Sequence, residues 1–164
     1  MKISGTHSFQ ADQSAVWGVL MNPDAIARAL PGVERLIPID GETSAWRATA
    51  KIGIAAVSGS YTGIVRMSDI VAPDRFLLSV EGEGQGSIIG GSCQMVLTYD
   101  PATNTSLVSW TADASVFGRL AGIGQRLMAA AATMLARQFF GALARQIPGA
   151  ADDAGGAGTA QVDG

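Results

Sequence analysis

Cysteine and histidine, which supply disulfides, metal ligands and nucleophiles, are almost absent from this sequence. Cys93 and His7 are the single representatives of their kinds among 164 residues. One cysteine cannot form an internal disulfide, and a lone histidine without clustered cysteine or acidic residues cannot hold zinc. The sequence therefore predicts no disulfide framework and no metal site.

Charge is scarce as well. Charged residues make up 15% of the chain, against roughly 25% in an average soluble protein, and the net charge is −3. The lysines and arginines are spread singly along the sequence, which predicts neither a nucleic-acid surface nor a polybasic cluster for anionic lipid. The uncharged apolar run at 127–136 is too short to span a membrane, and the first residues lead into a strand pattern instead of a signal peptide. We expect a cytoplasmic protein.

What the chain does contain is a strand-like alternation of apolar and polar residues along much of its length. This period of two, broken by turn residues such as Asp40-Gly41 and Asp100-Pro101, is typical of antiparallel strands with one buried face. The predicted strands lie at about 3–9, 33–39, 44–54, 57–70, 75–85, 87–99 and 105–117.

Helical spacing appears in two places. After the first strand, Asp12 is a candidate N-cap for one short helix, and Pro23 begins a second that ends at Pro31-Gly32. A long amphipathic helix is predicted at 118–147, with apolar residues at intervals of three and four. The pattern predicts an α+β fold in which a curved antiparallel sheet of about seven strands wraps around the long C-terminal helix. Residues 1–147 form this domain, and the Gly/Ala/Asp-rich residues 148–164 are predicted to be a disordered tail.

Many inward-facing strand positions are small, among them Gly59, Gly63, Gly82 and Ala112. Glycines in neighbouring strands indicate a strongly curved sheet, and the missing side chains would leave a cavity beneath the long helix. Tight packing of the helix against the same glycines explains the pattern equally well.

Large apolar residues of the same inward parity, together with the facing helix residues, are candidates for the wall of this cavity. Such residues also fill ordinary cores, so the assignment depends on small inward residues outnumbering large ones. The candidate ligand-binding residues are Trp46, Tyr61, Met67, Phe76, Leu78, Met95, Trp110, Leu127, Ala131 and Leu135. The helix stripe is wider than a core face needs, so Phe139, Phe140 and Leu143 are predicted to form an exposed patch for a membrane, a partner or a second copy.

No catalytic residues are predicted. Cys93 lies within an apolar strand row without a neighbouring base, and Glu81 and Glu83 share an outward face where water solvates them. The glycine-rich run at 82–86 joins two strands and precedes no helix, which excludes a dinucleotide-binding loop. His7 is interpreted as a half-buried strand residue, with hydrogen bonding to a ligand carbonyl as a minor alternative.

Several short motifs occur in a characteristic order, the most specific being Leu30-Pro31-Gly32-Val33-Glu34. The others are Met1-Lys2-Ile3-Ser4-Gly5, Val16-Trp17, Val57-Ser58-Gly59-Ser60-Tyr61-Thr62-Gly63, Arg66-Met67-Ser68-Asp69, Glu81-Gly82-Glu83-Gly84, Ala112-Asp113-Ala114, Gly118-Arg119-Leu120-Ala121 and Gln138-Phe139-Phe140. Together they resemble the CoxG family, which is named for the G subunit of carbon monoxide dehydrogenase and in which many members have cysteine in place of Val33. The order of elements is similar to the START-like (SRPBCC), helix-grip superfamily of lipid and polyketide binders.

The resemblance implies an accessory protein of a molybdenum hydroxylase of the carbon monoxide dehydrogenase type. Relatives are thought to recruit the enzyme to the membrane and to handle its quinone acceptor, and some carry a C-terminal hydrophobic anchor. Because this chain ends in a polar tail, we expect a non-enzymatic carrier of a menaquinone-like quinone or isoprenoid lipid, cytoplasmic or peripheral at the inner face of the cell membrane.

Two other functions stay open. The first is an assembly or membrane-recruitment factor that acts through surface contacts with the hydroxylase and has no functional ligand. The second is an enzyme such as a cyclase or hydrolase, for which Tyr61, Tyr99 and His7 are the available acid–base groups. The sequence leaves open whether the protein forms a homodimer. It predicts no catalytic cofactor and no nucleic-acid partner.

Overall fold

A curved antiparallel sheet, two short helices and one long helix make up the part of the protein described by the computed structural model, residues 1–149 and the backbone of 161–163. The strands are β1 (Lys2–Phe9), β2 (Ile37–Pro38), β3 (Ala45–Ile52), β4 (Gly59–Val71), β5 (Arg75–Gly84), β6 (Ser87–Asp100), β7 (Thr105–Gly118) and β8 (Gln161–Asp163). The helices are α1 (Gln13–Leu20), α2 (Pro23–Ala29) and α3 (Gln125–Ala144), with 3₁₀ turns at Ala55–Val57 and Arg119–Ile123. The strands pair in the order β2-β3-β4-β5-β6-β7-β1-β8. The predicted fold class is confirmed.

The two short helices begin where the sequence predicts. The Asp12 carboxylate accepts a hydrogen bond from the Ala15 amide at 2.9 Å, which caps α1. The Asn22 side chain accepts from the Asp24 amide at 3.0 Å, and Pro23 occupies the first position of α2. These caps place both helices at one end of the sheet, where Val16, Leu20 and Ile26 enter the main core cluster.

The predicted strand at 33–39 is much shorter in the structure. Only Ile37–Pro38 pairs with β3, and Val33 makes an isolated bridge to Ala50. A proline has no amide hydrogen to donate, so Pro38 limits the ladder to this edge contact. The residues before it cross the edge of β3 as a loop.

The long helix starts later than predicted. Gly118 and Gly124 have φ angles of +91° and +89°, which are outside the helical region and interrupt the segment 118–124. Leu120 and Ile123, which fall within the predicted helix, lie in the 3₁₀ turn instead. The amide of the buried Leu120 donates to the Ser87 hydroxyl at 2.8 Å, which ties this turn to β6.

The predicted tail falls partly outside the described residues, which omit 150–160 and 164. Gln161–Asp163 departs from the prediction of disorder, because it forms β8 and pairs antiparallel with Lys2–Ser4 of β1. No strand signal marks this segment in the sequence, since three residues are too few to show a period of two.

Helix α3 lies across the concave face of the sheet, and α2 covers the C-terminal end of α3. Gln146, just beyond the helix, joins the two: its amide donates to the Ala25 carbonyl at 3.0 Å and accepts from Arg28 Nε at 2.9 Å. Among the described residues, α3 is the one helix whose length and composition would allow it to cross a membrane, with 33% of its apolar window buried. Core helices of soluble proteins meet the same criterion, and one face of α3 is used in packing.

Candidate ligand-binding cavity

An apolar cavity of about 480 Å³ lies between α3 and the concave face of the sheet. Its wall includes members of two apolar clusters. The main cluster reaches from α1 and α2 to Phe139 and Phe140 on α3, and a smaller one gathers Val57, Leu120 and Ala131. The volume lies within the roughly 300–1,000 Å³ that is usual for small-molecule pockets.

The chemistry of the wall is uniform. Of the described residues that line the cavity, none has a charged side chain or an imidazole, and the polar groups are those of Tyr61, Thr62, Cys93 and the indole N–H of Trp110. Each buried water molecule usually needs two to four polar partners, and this wall offers too few of them. The cavity therefore favours an apolar occupant. The arrangement can hold a greasy molecule and offers little for acid–base chemistry.

The Leu30-Pro31-Gly32-Val33 segment forms one side of the cavity because it is fastened to the edge of β3. The Lys51 amide donates to the Gly32 carbonyl at 3.1 Å. Gly32 has a φ of +74°, and a Cβ placed there would overlap the Lys51 carbonyl oxygen. Only glycine allows this approach, which turns Leu30, Pro31 and Val33 toward the cavity.

The glycines in the sheet produce curvature. A Cβ on Gly63 would overlap the Glu81 carbonyl oxygen of β5, and one on Gly84 would overlap the Ser60 carbonyl oxygen of β4. In both cases the neighbour is the adjacent strand and not α3. The first of the two sequence interpretations is therefore correct: these glycines let β4 and β5 approach closely, and Gly63 and Gly82 leave space in the cavity wall.

Tyr61 lines the cavity, but its hydroxyl proton already takes part in a hydrogen bond. Its hydroxyl donates to the Val57 carbonyl at 2.7 Å, and burial raises the pKa of Tyr61 above its ordinary value. The hydroxyl therefore stays protonated and offers an incoming group its lone pairs only. His7, the other residue predicted to orient a ligand, does not line the cavity; its ring stacks on Phe140 with centroids 5.3 Å apart.

Cys93 faces the cavity from β6. Burial raises the pKa of its thiol to about 12, although a hydrogen bond with the Thr111 backbone acts in the opposite direction. The thiolate is the nucleophilic form, so at neutral pH Cys93 is part of the apolar wall. Among the described residues, no three His, Cys, Asp or Glu side chains come together in a way that could hold a metal ion.

The structure brings six of the candidate ligand-binding residues to the cavity and leaves four outside. Those that line it are Tyr61, Leu78, Met95, Trp110, Ala131 and Leu135. Phe76 packs against Trp17 of α1 with ring centroids 5.8 Å apart, and Met67 is buried in the main core. Trp46 packs partly buried against that core, whereas Leu127 is 51% exposed.

The prediction of an exposed apolar patch on the long helix is wrong. Phe139, Phe140 and Leu143 are all buried in the main core. The reason is that α2 and the β1 residues Phe9 and His7 cover this end of α3. The ring centroids of Phe9 and Phe140 are 6.3 Å apart. Two of the three, Phe139 and Phe140, also line the cavity.

Sequence reasoning missed wall residues that come from loops and turns. Leu30 and Val33 reach the cavity through the Gly32 turn, and Val57 and Leu120 through the two 3₁₀ turns. Loops and 3₁₀ turns have no regular spacing of apolar residues, so the sequence does not show which of their side chains face the cavity. Ile89, Ala114 and Val116 also line the cavity, and the alternation of β6 and β7 was the signal that could have found them.

A second, wider concavity of about 1000 Å³ opens on the other face of the sheet. Its wall combines exposed apolar residues with charges of both signs. The apolar members include Ile37, Ile88 and Phe117, and the charged ones are Glu34, Arg35, Arg47, Lys51, Glu81 and Glu83. We call this the outer groove. A wet, charged groove suits a protein surface better than an apolar small molecule.

The fold and one sequence family connect this geometry to known proteins. The chain superposes on a conserved protein from Geobacillus kaustophilus with a TM-score of 0.84 and 29% identity, over 90% of this chain and 95% of that one. A START superfamily protein from Mycobacterium smegmatis gives a TM-score of 0.69 at 12% identity, over 90% and 97% of the two chains. A protein from Thermus thermophilus gives 0.66 at 12% identity, over 90% and 97%. The last two share the fold alone.

No protein of curated function matches this chain. Its sequence does match, over residues 5–148, the family described as the G subunit of carbon monoxide dehydrogenase (CoxG). That range covers β1 from Gly5 onward, β2 to β7, all three helices and the described wall of the cavity except Met1 and Ile3. The chain therefore belongs to the CoxG family, and its fold is START-like.

Proposed function

We propose that this protein is a non-enzymatic accessory protein of a carbon monoxide dehydrogenase-type molybdenum hydroxylase and carries a quinone, such as a menaquinone, between membrane and enzyme. The observation that carries the proposal is the apolar cavity of about 480 Å³ beneath α3, with no charged side chain in its described wall. The family description supports the association with the hydroxylase.

The size of the cavity limits what it encloses. An engineered cavity of about 150 Å³ binds benzene, so a cavity of about 480 Å³ has room for roughly 20 non-hydrogen atoms. A bicyclic quinone head with one or two isoprene units is of that size. A longer isoprenoid tail has to extend out of the cavity, so the carrier would shield the head and the first part of the tail.

Binding of such a ligand would depend on apolar transfer much more than on recognition of the head. Each buried methylene contributes about 0.8 kcal/mol. A quinone carbonyl accepts hydrogen bonds but does not donate; the Tyr61 hydroxyl already donates to Val57, and the Trp110 indole N–H in the wall would serve a carbonyl of either type of quinone head alike. We therefore expect similar affinity for naphthoquinone and benzoquinone heads that carry the same tail.

The composition of the wall argues against catalysis in the cavity. Tyr61 and Cys93 are the titratable side chains of the described wall, and burial raises the pKa of both, so that each stays neutral near pH 7. Tyr99 and His7, the other acid–base candidates, lie outside it. A general acid or base needs a pKa near the working pH and contact with the substrate.

The outer groove favours a second function, recruitment or assembly of the hydroxylase through surface contacts alone. Ile88 and Phe117 pair across β6 and β7 and are both exposed, which gives the groove an apolar floor beside charged walls. Aromatic residues beside polar rims are typical of protein interfaces. The two functions are compatible, but they predict different results when the cavity is filled.

Solvent extraction of the purified full-length chain, followed by mass spectrometry and ultraviolet spectra of the extract, tests the proposal. We expect a quinone or isoprenoid at close to one molecule per chain, directly or after incubation with membranes. An empty extract in both cases would contradict the carrier function. Capture of the hydroxylase by a variant whose cavity is filled would then support recruitment through the outer groove.

A further inference from the structure

The outward face of α3 combines arginines with exposed apolar side chains. At about 100° per residue, the solvent-facing positions of the helix fall within roughly 120° of arc. They include Arg126, Leu127, Ala130, Met134, Arg137 and Arg145. Leu127 and Met134 are 51% and 48% exposed, two helical turns apart on this face. We call these six residues the α3 outer face.

The charge of this region has one sign. Residues 114–151 contain four arginines, Arg119, Arg126, Arg137 and Arg145, and none of the 14 acidic residues of the chain. The arginines stand singly in the sequence, but the helix brings three of them to one face. Within residues 1–149 none of the four takes part in an ion pair. A protein of net charge −3 thus presents a locally cationic surface.

One of these charges lies where helix electrostatics disfavours it. Arg126 occupies the first turn of α3, whose N-terminus has neither an acidic residue nor a side-chain cap. The helix dipole is positive at this end, so a cation there lowers helix stability by a few tenths of a kcal/mol. An anionic surface facing the helix would remove the penalty. Departures from local rules of this kind often mark functional positions.

The same helix forms the wall of the cavity on its other side. Ala131 and Leu135 line the cavity, while Leu127 and Met134 are about half exposed and do not line it. At its N-terminus α3 is joined to β7 through Gly118 and Gly124, whose positive φ angles break the backbone regularity on both sides of the 3₁₀ turn. The α3 outer face and the cavity wall therefore belong to the same helix.

We infer that the α3 outer face docks this protein on the surface of a bilayer rich in anionic phospholipid, with the arginines at the headgroups and Leu127 and Met134 inserted between them. This inference rests on the proposed function, because docking in this orientation places the cavity next to the membrane. The occupant is argued from charge: a surface of arginines without acids complements anionic headgroups, and exposed apolar residues among arginines suit the interface of a bilayer.

Flotation of the full-length chain with vesicles tests the inference. We expect binding to equimolar phosphatidylcholine–phosphatidylglycerol vesicles, loss of binding at high salt, and little binding to phosphatidylcholine alone. The double variant Arg126→Glu, Arg137→Glu should bind the anionic vesicles about tenfold more weakly or worse, because each arginine near such a surface strengthens partitioning roughly fivefold. The matched control is Arg35→Glu, Arg47→Glu, which makes the same change of charge at exposed residues of the outer groove.

A second pair of variants tests the apolar contribution. Leu127→Ser, Met134→Ser should weaken vesicle binding severalfold, whereas Ile88→Ser, Phe117→Ser at the outer groove should not. All eight side chains are exposed, so circular dichroism and thermal unfolding should match those of the parent chain. No binding of the parent chain to anionic vesicles, or equal losses in the two sets of variants, would overturn the inference.

The outcomes for docking and for ligand carriage can be told apart. A chain that yields a quinone on extraction but ignores vesicles keeps the proposed function and refutes the α3 outer face as the docking surface. A chain that binds vesicles through this face but yields no ligand supports docking and contradicts carriage. Loss of hydroxylase capture, without loss of vesicle binding, in the Arg126→Glu, Arg137→Glu variant would assign the face to a protein partner and also overturn the inference.

Discussion

Filling the cavity from α3 gives the most direct test of ligand binding. Ala131 is buried, lies in the second turn of α3 and contributes only a methyl group to the wall. An Ala131→Trp substitution brings about nine indole ring atoms into a space that holds roughly 20 atoms. The remaining volume is too small for a bicyclic quinone head with an isoprene unit.

The size of the effect follows from apolar transfer. Displacing about ten ligand atoms removes up to roughly 8 kcal/mol of gross transfer free energy, at about 0.8 kcal/mol for each buried methylene. Ordering and imperfect packing reduce what is realised. If one third of the gross value remains, the dissociation constant rises about 100-fold, because about 1.4 kcal/mol corresponds to a factor of ten.

The assay is equilibrium dialysis of a menaquinone with a short isoprenoid tail against each variant. Ala130→Trp is the matched control, since Ala130 is the neighbouring residue on the exposed side of α3 and receives the same side chain. Circular dichroism and thermal unfolding establish that both variants fold. Wild-type affinity in a folded Ala131→Trp protein would refute the assignment of this cavity as the binding site.

Two further predictions concern the wall of the cavity. Gly32→Ala should lower the free energy of unfolding by roughly 2 kcal/mol or more, because of its positive φ and the clash with Lys51. Gly18→Ala, on the open side of α1, is the control and should be neutral or stabilising. Chemical denaturation measures both variants, and equal stabilities would contradict the role given to the Gly32 turn. Because the pKa of Cys93 is about 12, its alkylation by iodoacetamide in the folded protein should accelerate about tenfold per pH unit from pH 8 to pH 10, while the urea-unfolded chain should level off near pH 9. Mass spectrometry gives both rates, and a plateau in the folded protein would show that the thiol is not buried.

The fold was predictable because its elements have strong local signals. Asp12 and Pro23 mark helix starts by chemistry that works over three residues, and the alternation in β4 to β7 separates a buried face from a wet one. The predicted element boundaries are wrong where the backbone conformation of a glycine decides where a helix begins. Gly124 is compatible with a helix in sequence, and only its φ of +89° shows that α3 begins after it.

The candidate site was predictable where a strand determined which way a side chain points. Met95 and Trp110 face each other across β6 and β7, and both line the cavity as their parity predicted. Parity cannot show how far along a strand the cavity extends, so it also selects Phe76, which packs against Trp17 of α1, and Met67, which is buried in the main core. Segments without a period, such as the Gly32 turn, carry no directional signal.

The helix shows why a broad apolar stripe is ambiguous. Phe140 and Leu127 both belong to the stripe read from the sequence, but α2 and β1 bury the first, whereas the second stays 51% exposed among the described residues. The uncovered apolar surface is therefore at the N-terminal part of α3, beside Arg126 and the glycine-flanked 3₁₀ turn. Because α2 and β1 pack on the other end of α3, this end is the less restrained side of the cavity wall. In the carrier proposed above, docking through α3 would bring this glycine-flanked end, and not the end that α2 and β1 hold in place, next to the bilayer from which the ligand would load.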